Sequence, residues 1–588
     1  MFRLYHSNDL DVLKGILLKL MQESPASPFE QEAILVQSQG MAHWLKLQLA
    51  DGLGVAAQVD FPLPSSFVWQ VFNHLQPELP QRSHFDKQIV AWKLLRLLPD
   101  LVKQPECAPV AQYLHNDADG LKAHQLAQTI ADVFDQYLVY RPDWLLSWEQ
   151  GVDEVADTDV SLQPWQPPIW RALVADSREL GHSLEHRARL LEQLPALVAQ
   201  YPQRLQALPK RLFVFGIAAL PGSYWQVLNA ISAHIDVHFF LLNPCRNFWG
   251  DISSDKQRLR ILQQQPEAAP LFDRGNPLLA SWGRLGRDFL SLIQEAEAEG
   301  VVHDIEGWVE VKPQSLLHYL QQDILELNDR QQGAFTAHAL ESSAFKQAVH
   351  PDDGSVRVVS AHSPLREVQR LYDQILYWLD NDPTLKPRDI VVMVPDIDAY
   401  APYIDAVFSS HKARIHDGKN DRDEYHIPWA IADQSMAQED PLIDSFLRLL
   451  NLPESRLLIT DVQDWLDVPA IRARFELSED DLPVLRDWLG RARIRWGLDA
   501  QHREQLGLPA FEQNSWRKGL RQLLLGLMLP DGDNDFCGDF PVLAAEGNEA
   551  ERLGKLMAFI DTLEHWQQRL SEPQLSSQHW QQMLIQML

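Results

Sequence analysis

The sequence predicts an α/β protein with two parallel-sheet cores in tandem, each carrying a large helical insertion. Three observations lead there. Apolar, strand-like runs fall in two groups, one between 2 and 242 and one between 355 and 395. Long stretches of 3.6-residue periodicity interrupt or follow each group. The 588 residues, at roughly 150 per domain, make about four domain-sized units.

Element by element, FRLY (2–5) reads as a strand, LDVLKGILLKLM as an amphipathic helix and AILVQ (33–37) as a second strand. That order is a βαβ unit and predicts parallel pairing. From about 64 to 200 only helical periodicity is found, in SSFVWQVFNHL, DKQIVAWKLLRLL, AHQLAQTIADVFDQYLVY, PPIWRALVADSREL and HRARLLEQLPALVAQ. Strands return at RLFVFGI (211–217) and HIDVHFFLL (234–242), with the helix YWQVLNAIS between them, so the parallel sheet resumes. After a mixed stretch, the polar segment 333–345 is the best linker. A second α/β pattern follows: strand SVRVVSAH (355–362), helix REVQRLYDQILYWL, strand DIVVMVP (389–395) and helix YAPYIDAVF. From 440 onward the pattern is helical. The expected domains are 1–65 plus 205–335 (first core), 66–204 (its insertion), 346–440 (second core) and 441–588 (second insertion). The ending HWQQMLIQML is helical and apolar with no stop signal, as if cut from a longer chain.

Composition excludes several classes. With 52 Lys and Arg against 81 Asp and Glu the net charge is −29, so a generally basic nucleic-acid coat is ruled out. A locally neutral channel is not. No apolar run approaches a membrane span, and the start MFRLYHSNDL has no secretory pattern. Cys107, Cys245 and Cys537 lie too far apart for a disulfide framework or a CxxC site, which points to a reducing, cytoplasmic compartment. The acidic stretch DGDNDFCGD (531–539) fails as a calcium loop, since Phe536 stands where Gly is needed and Val542 where Glu is needed.

Tandem cores with helical inserts suggest a motor of the superfamily 1 helicase type, so the phosphate site is the first test. A P-loop needs glycines for close backbone approach and a Lys for the phosphates. After its first strand this sequence offers HSNDLDVL, with no Gly, no Lys and two carboxylates. Where such folds place a magnesium-holding carboxylate, LFVFG has Phe215 before Gly216. The nearby GIAALPGS has one spacer too many and no Lys. PDID (395–398) lacks the (D/E)xK of a metal-dependent nuclease and reads as a turn and helix start. No reaction can be assigned to this chain alone.

The segments LYHSNDLDVL, ILVQSQGMAHWL, GVAAQVDFPLPSSFVW, DVFDQYLVYRPDWL, FGIAALP, NPCRNFWGD, GNPLLASWGRLGRDF, HSPLREVQRLYDQIL, RDIVVMVPDIDAYAPYIDAVF and IRWGLD run in collinear order from residue 1 to about 520. Together they resemble the RecC family, the gamma subunit of exodeoxyribonuclease V (the RecBCD helicase–nuclease), over about its N-terminal half. The resemblance implies tandem superfamily 1 helicase-like domains with their ATP motifs lost. It implies a non-catalytic subunit that joins RecB and RecD in a heterotrimer, helps split double-stranded DNA ends and reads Chi in the 3′-tailed single strand. It places the chain in double-strand-break repair by homologous recombination, with no membrane partner. The complex is an ATP-dependent helicase and exonuclease; ATP and Mg²⁺ belong to the partner subunits, and neither cofactor nor metal is expected on this chain. The competing reading is an active ATP-dependent helicase or exonuclease subunit whose site has been misread.

Carried over motif by motif, the resemblance assigns Chi contacts to Gln37, Gln39, His43, Leu63, Trp69, Asp132, Val133, Asp135, Gln136, Arg141 and Arg187. The set is chemically apt: Gln and Asp offer acceptors to base amino groups, Arg a bidentate fork to guanine, and Trp69 and Leu63 faces for stacking or wedging. Gln39, His43 and Val133 stand where the enteric pattern has Thr, Gln and Leu, so a different octamer is the expected consequence. Each residue also has an ordinary reading: Trp69 as core, Asp132, Asp135 and Gln136 as a solvated helix face, Arg141 as a C-terminal cap, Gln37 as a loop ligand for backbone. His43 is one of twenty-one histidines and by itself predicts nothing. The set gains weight only if the strand ends at 37 and 63 converge with the helix face at 132–141.

Overall fold

The computed structural model describes residues 1–588 apart from 26, 28, 156–162, 254–258, 260–262, 264–274, 299, 301, 331–346, 410–425, 433–439, 530–535, 537, 544–548 and 573–575. The chain divides into two compact units, Met1–Val358 and Val359–Leu588. The linker expected at 333–345 and most of the acidic stretch 531–539 lie outside the described residues.

The first unit is built on a six-stranded parallel sheet in the order β3-β2-β4-β5-β1-β6. Its strands are β1 (Phe2–Ser7), β2 (Glu32–Leu35), β3 (Val59–Asp60), β4 (Arg211–Phe215), β5 (Asp236–Leu242) and β6 (Val302–Glu306). Residues two apart share a face of a strand, and the two faces bury different partners. Leu4, Leu35, Leu212, Val214, Val237 and Phe239 pack with Phe67, Val71, Leu190, Trp225 and Phe289. Tyr5, Ile34, Phe213, Phe215 and Phe240 pack with Leu13, Leu17, Leu45 and Leu49. Helices α1 (Leu10–Glu23) and α2 (Gln39–Leu53) therefore cover one face. The other is covered by α3 (Pro64–Leu75), α9 (Arg187–Gln200), α10 (Gly222–Ser232) and the helix Arg284–Ala298.

Between β3 and β4 the chain is helical, with α4 (Lys87–Leu101), α5 (Ala108–Leu114), α6 (Leu121–Tyr140), α7 (Pro142–Glu149) and α8 (Gln166–Glu179) enclosing their own core around Phe85, Leu94, Phe134, Trp148 and Trp170. Two expectations change. β1 and β2 are parallel but not neighbours, because β4 and β5 lie between them; strands more than 170 residues downstream fill the gap that the first βαβ crossover leaves. β6, which the sequence reading passed over, forms the sheet edge beside β1 and is exposed after Val302, which is why VHDIE carries no apolar alternation.

In the second unit two helices match expectation, Pro364–Asn381 and Ile397–Phe408, and share a small core of Val368, Tyr372, Ile375, Phe408 and Ile427. The strands expected at 355–362 and 389–395 do not form: neither segment pairs with another, and Val358 and Met393 are 97% and 90% exposed. An extended apolar segment becomes a parallel strand only with a neighbour to take its backbone groups, and no such neighbour stands among the described residues. From Pro441 to Met587 helices surround a core of Leu452, Trp465, Trp488, Trp516, Leu523 and Phe559. No helix among the described residues is long and apolar enough to cross a membrane.

Candidate nucleic-acid interface

The proposed reading residues all lie in the first unit, where the sheet meets its helical insertion. At the end of β2 the Val36 N–H donates to the Pro62 carbonyl at 3.4 Å, which sets exposed Gln37 beside the segment leading to Leu63. Leu63 occupies the N-cap of α3 in extended conformation, with Pro64 opening the helix. One and a half turns on, Trp69 donates its indole Nε1–H to the Gln81 carbonyl at 2.9 Å, which fixes the ring plane. Trp69 and Arg187 line one cavity of about 170 Å³ together with Ser65, Ser66, Ser83 and Arg82. Arg187 opens α9 and donates from Nη1 to Asp135 Oδ1 on α6 at 3.1 Å; both side chains are half-buried. The structure thus joins 36–37 to 62–63, Trp69 to Arg187, and Arg187 to Asp135.

The remaining members are placed less tightly. Asp132 and Gln136 are one turn apart on α6, with Gln136 Nε2 donating to Asp132 Oδ2 at 3.1 Å. Lys87 donates to Asp132 at 3.0 Å, and this contact holds the Asp132 carboxyl below its usual range. Val133 is half-buried. Gln39 and His43 are exposed on the first turns of α2, whose N-cap is Ser38. Arg141 follows its ordinary reading: its guanidinium donates to the Tyr140 carbonyl at 3.2 Å and lies 5.5 Å over the Trp144 ring, with no contact to the cavity.

Sequence reasoning missed the support beneath Arg187. Glu149, buried at the end of α7, accepts from Trp170 Nε1 at 3.1 Å and from His186 Nε2 at 2.6 Å through one oxygen. Through the other it accepts from Arg189 at 2.9 and 2.6 Å. Burial by itself raises the Glu149 carboxyl, but the hydrogen bonds and charges of His186 and Arg189 outweigh it and hold the group below its ordinary value. His186 is the N-cap of α9, so this network fixes the helix end from which Arg187 projects. No local signal announces it, because Glu149 meets partners 21 to 40 residues away.

Where a phosphate would be bound in a nucleotide-dependent motor, after β1, the first helix is already capped. Asp9 accepts from the N–H groups of Asp11 at 2.7 Å and Val12 at 3.3 Å. Asn8 pairs with both backbone groups of Val309, at 2.8 and 2.9 Å. After β4, Gly216 has φ of +70°, and Met41 lies 2.9 Å from where its Cβ would stand. Farther on, Asp396 of PDID caps its helix by accepting from Ala399 N at 3.2 Å, as expected for a turn and helix start.

One group among the described residues has metal-donor spacing: His6, Glu297 and Asp304, with donor atoms within 4.8 Å of one another. Its hydrogen bonding opposes that use. Trp249 Nε1 and Cys245 N donate to Asn243 Oδ1 at 3.0 and 3.3 Å, so Asn243 Nδ2 faces His6 Nδ1 at 3.2 Å. The imidazole proton then sits on Nε2, directed at Asp304 3.4 Å away. A cation would meet an N–H instead of a lone pair. In the acidic stretch, Asp539 is buried and held by Arg521 at 2.5 Å and Lys518 at 3.4 Å.

The model for "RecC, N-terminal domain" matches residues 2–327, more than half of the sequence. The chain belongs to the RecC family. A second match, to the RecBCD enzyme subunit RecC fourth domain, covers residues 439–588. The RecBCD enzyme subunit RecC of Escherichia coli K12 is 40% identical over 97% of this chain and 52% of its own length. That of Haemophilus influenzae is 35% identical over 100% and 54%, and that of Mycolicibacterium smegmatis 29% identical over 97% and 50%. The chain spans about half the length of the RecC relatives it matches.

Proposed function

We propose that this chain is the DNA-recognition and scaffold part of a RecBCD-type helicase–nuclease, acting in the cytoplasm in double-strand-break repair by homologous recombination. It assembles with RecB and RecD subunits, which use ATP and Mg²⁺, while this chain holds neither. It helps split duplex ends and reads Chi in the 3′-tailed single strand. The observation that carries the reading is one cavity lined by Trp69 and Arg187, with Asp135 held against Arg187 by an ion pair. Trp69 offers a stacking face, Arg187 a fork of donors and Asp135 an acceptor, the groups needed to read an unstacked base.

Two features support the helicase-derived architecture without its chemistry. Asp9 supplies a carboxylate where the helix end of a P-loop would receive phosphate. The extended apolar segments 355–362 and 389–395 suit strands of a second α/β core, its sheet completed by the half of the RecC length that this chain does not span. In the assembled complex, Asp135→Ala or Arg187→Ala weakens the response to Chi while unwinding persists; equal loss of both activities contradicts a reading role. ATP hydrolysis by this subunit in isolation, stimulated by single-stranded DNA, would favour the active-motor reading instead.

A further inference from the structure

Along helix α6 the polar face that holds reading residues Asp132 and Gln136 continues beyond them. His124, Gln128, Asp132 and Gln136 follow one another at four-residue intervals along one accessible face. Gln128 Nε2 lies 3.4 Å from His124 Nε2, and Gln136 donates to Asp132 at 3.1 Å. Each interval rises about 6 Å, so the stripe runs about 18 Å along the helix, in steps close to the phosphate-to-phosphate reach of an extended single strand. Helix α4 lies alongside in the opposite direction: Lys87 meets Asp132, and five residues later Trp92 meets His124 with ring centroids 5.6 Å apart. Trp92 is 65% exposed, the most exposed aromatic ring among the described residues of 64–200. Burial normally claims a Trp on a packed helix; this one stands at the end of a polar stripe whose other end lies at Asp132 and Gln136. Charge beside the stripe is balanced: Lys87 pairs with Asp132, Arg96 with buried Asp176, and Lys93 is buried against Ser177, so the stripe does not carry the repulsion that the net charge of −29 gives the chain as a whole.

We propose that Trp92, with His124 against it, is a stacking platform for a base of the single strand, several nucleotides along from the base read by Arg187 and Asp135. The stripe between them is the path of that strand. This rests on the DNA-reading role proposed above. Aromatic stacking accepts every base, so Trp92 holds the strand in register and contributes affinity without sequence preference.

The test uses the full-length subunit assembled with its partner subunits and a series of 3′-tailed duplexes carrying 2-aminopurine at successive tail positions. The expected result is one tail position whose fluorescence is quenched in the parent complex, regained in Trp92→Ala and still quenched in Trp92→Phe. Tail affinity in Trp92→Ala falls about fivefold or more, and the position affected is offset along the strand from the one that Asp135→Ala disturbs. If Asp135→Ala disturbs a tail position and Trp92→Ala disturbs none, the platform is wrong and the reading role stands. If neither variant alters any position, both fall. If Trp92→Ala instead releases a partner subunit during gel filtration, Trp92 is a protein contact and the proposal is overturned.

Discussion

Arg187 and Asp135 show how the proposed reading position is built. Each is half-buried and each satisfies the other, so neither charge stands unpaired in the absence of a strand, and Arg187 also lines the cavity. Below them Glu149 is the fixed point. Replacing it with Ala leaves His186, Arg189 and Trp170 Nε1 without their acceptor in a buried setting, a loss of about 3–5 kcal/mol, read as a lower urea midpoint. Because the Glu149 carboxyl is held below its ordinary value, its contribution is present above the unfolded carboxylate range and is lost as pH falls through the folded one. The alanine variant should therefore lack part of the acid limb of the stability profile. At this scale little of the site was legible from residue types alone. Trp69, Asp135 and Arg187 had ordinary readings of equal standing, and only the family resemblance singled them out. Lys87 and Glu149 escaped notice because their partners are 45 and 21 to 40 residues away. Arg141, chosen by resemblance, hydrogen-bonds its own helix end as the local reading had it.

Among elements, β1, β2, β4 and β5 were readable because they are largely apolar and buried on both faces, the mark of a parallel strand covered on both sides, whereas β3 is two residues long and β6 is exposed after Val302. The order of the strands was not readable, since periodicity says nothing about which strands pair across a 150-residue insertion. β5 holds a further consequence. His238 is buried in it, accepts or donates at Tyr5 Oη 3.0 Å away and packs on Phe213. Burial, with Arg3 next in effect, pushes its pKa down to about 4. The unfolded chain takes up that proton near pH 6.5, so stability is full above 6.5 and declines as pH falls toward 4, by at most about 3 kcal/mol. Urea midpoints of His238→Gln should fall less steeply across this window than those of the parent. The segments 355–362 and 389–395 make the opposite case: their apolar composition predicts strands, but neither forms one among the described residues, because a strand needs a neighbour. Exposed apolar segments of this kind promote association. Light scattering of the 588-residue chain should drop on Met393→Lys or Val358→Lys with little change in unfolding midpoint, whereas the same changes in the full-length subunit should lower its stability.

For the whole molecule, a charge of −29 and a grouping of aromatic, Arg and Asp side chains at one junction fit binding that is local and dependent on assembly. Overall electrostatics oppose free association with DNA, so the isolated chain should hold a 3′-tailed duplex at least tenfold more weakly than the assembled complex does, a difference that fluorescence anisotropy at fixed salt would measure. On the proposed reading, a motor-derived sheet whose first helix is capped by its own Asp9 keeps the strand path and leaves hydrolysis to neighbours. The most direct measurement is photocrosslinking of the assembled complex to a tailed duplex carrying 5-iodouracil along its 3′-ended strand, with adducts mapped by mass spectrometry. Adducts within 63–69, 132–141 or at Arg187 are the predicted result. A strand that crosslinks efficiently elsewhere in the subunit, and at none of these positions, would contradict the account.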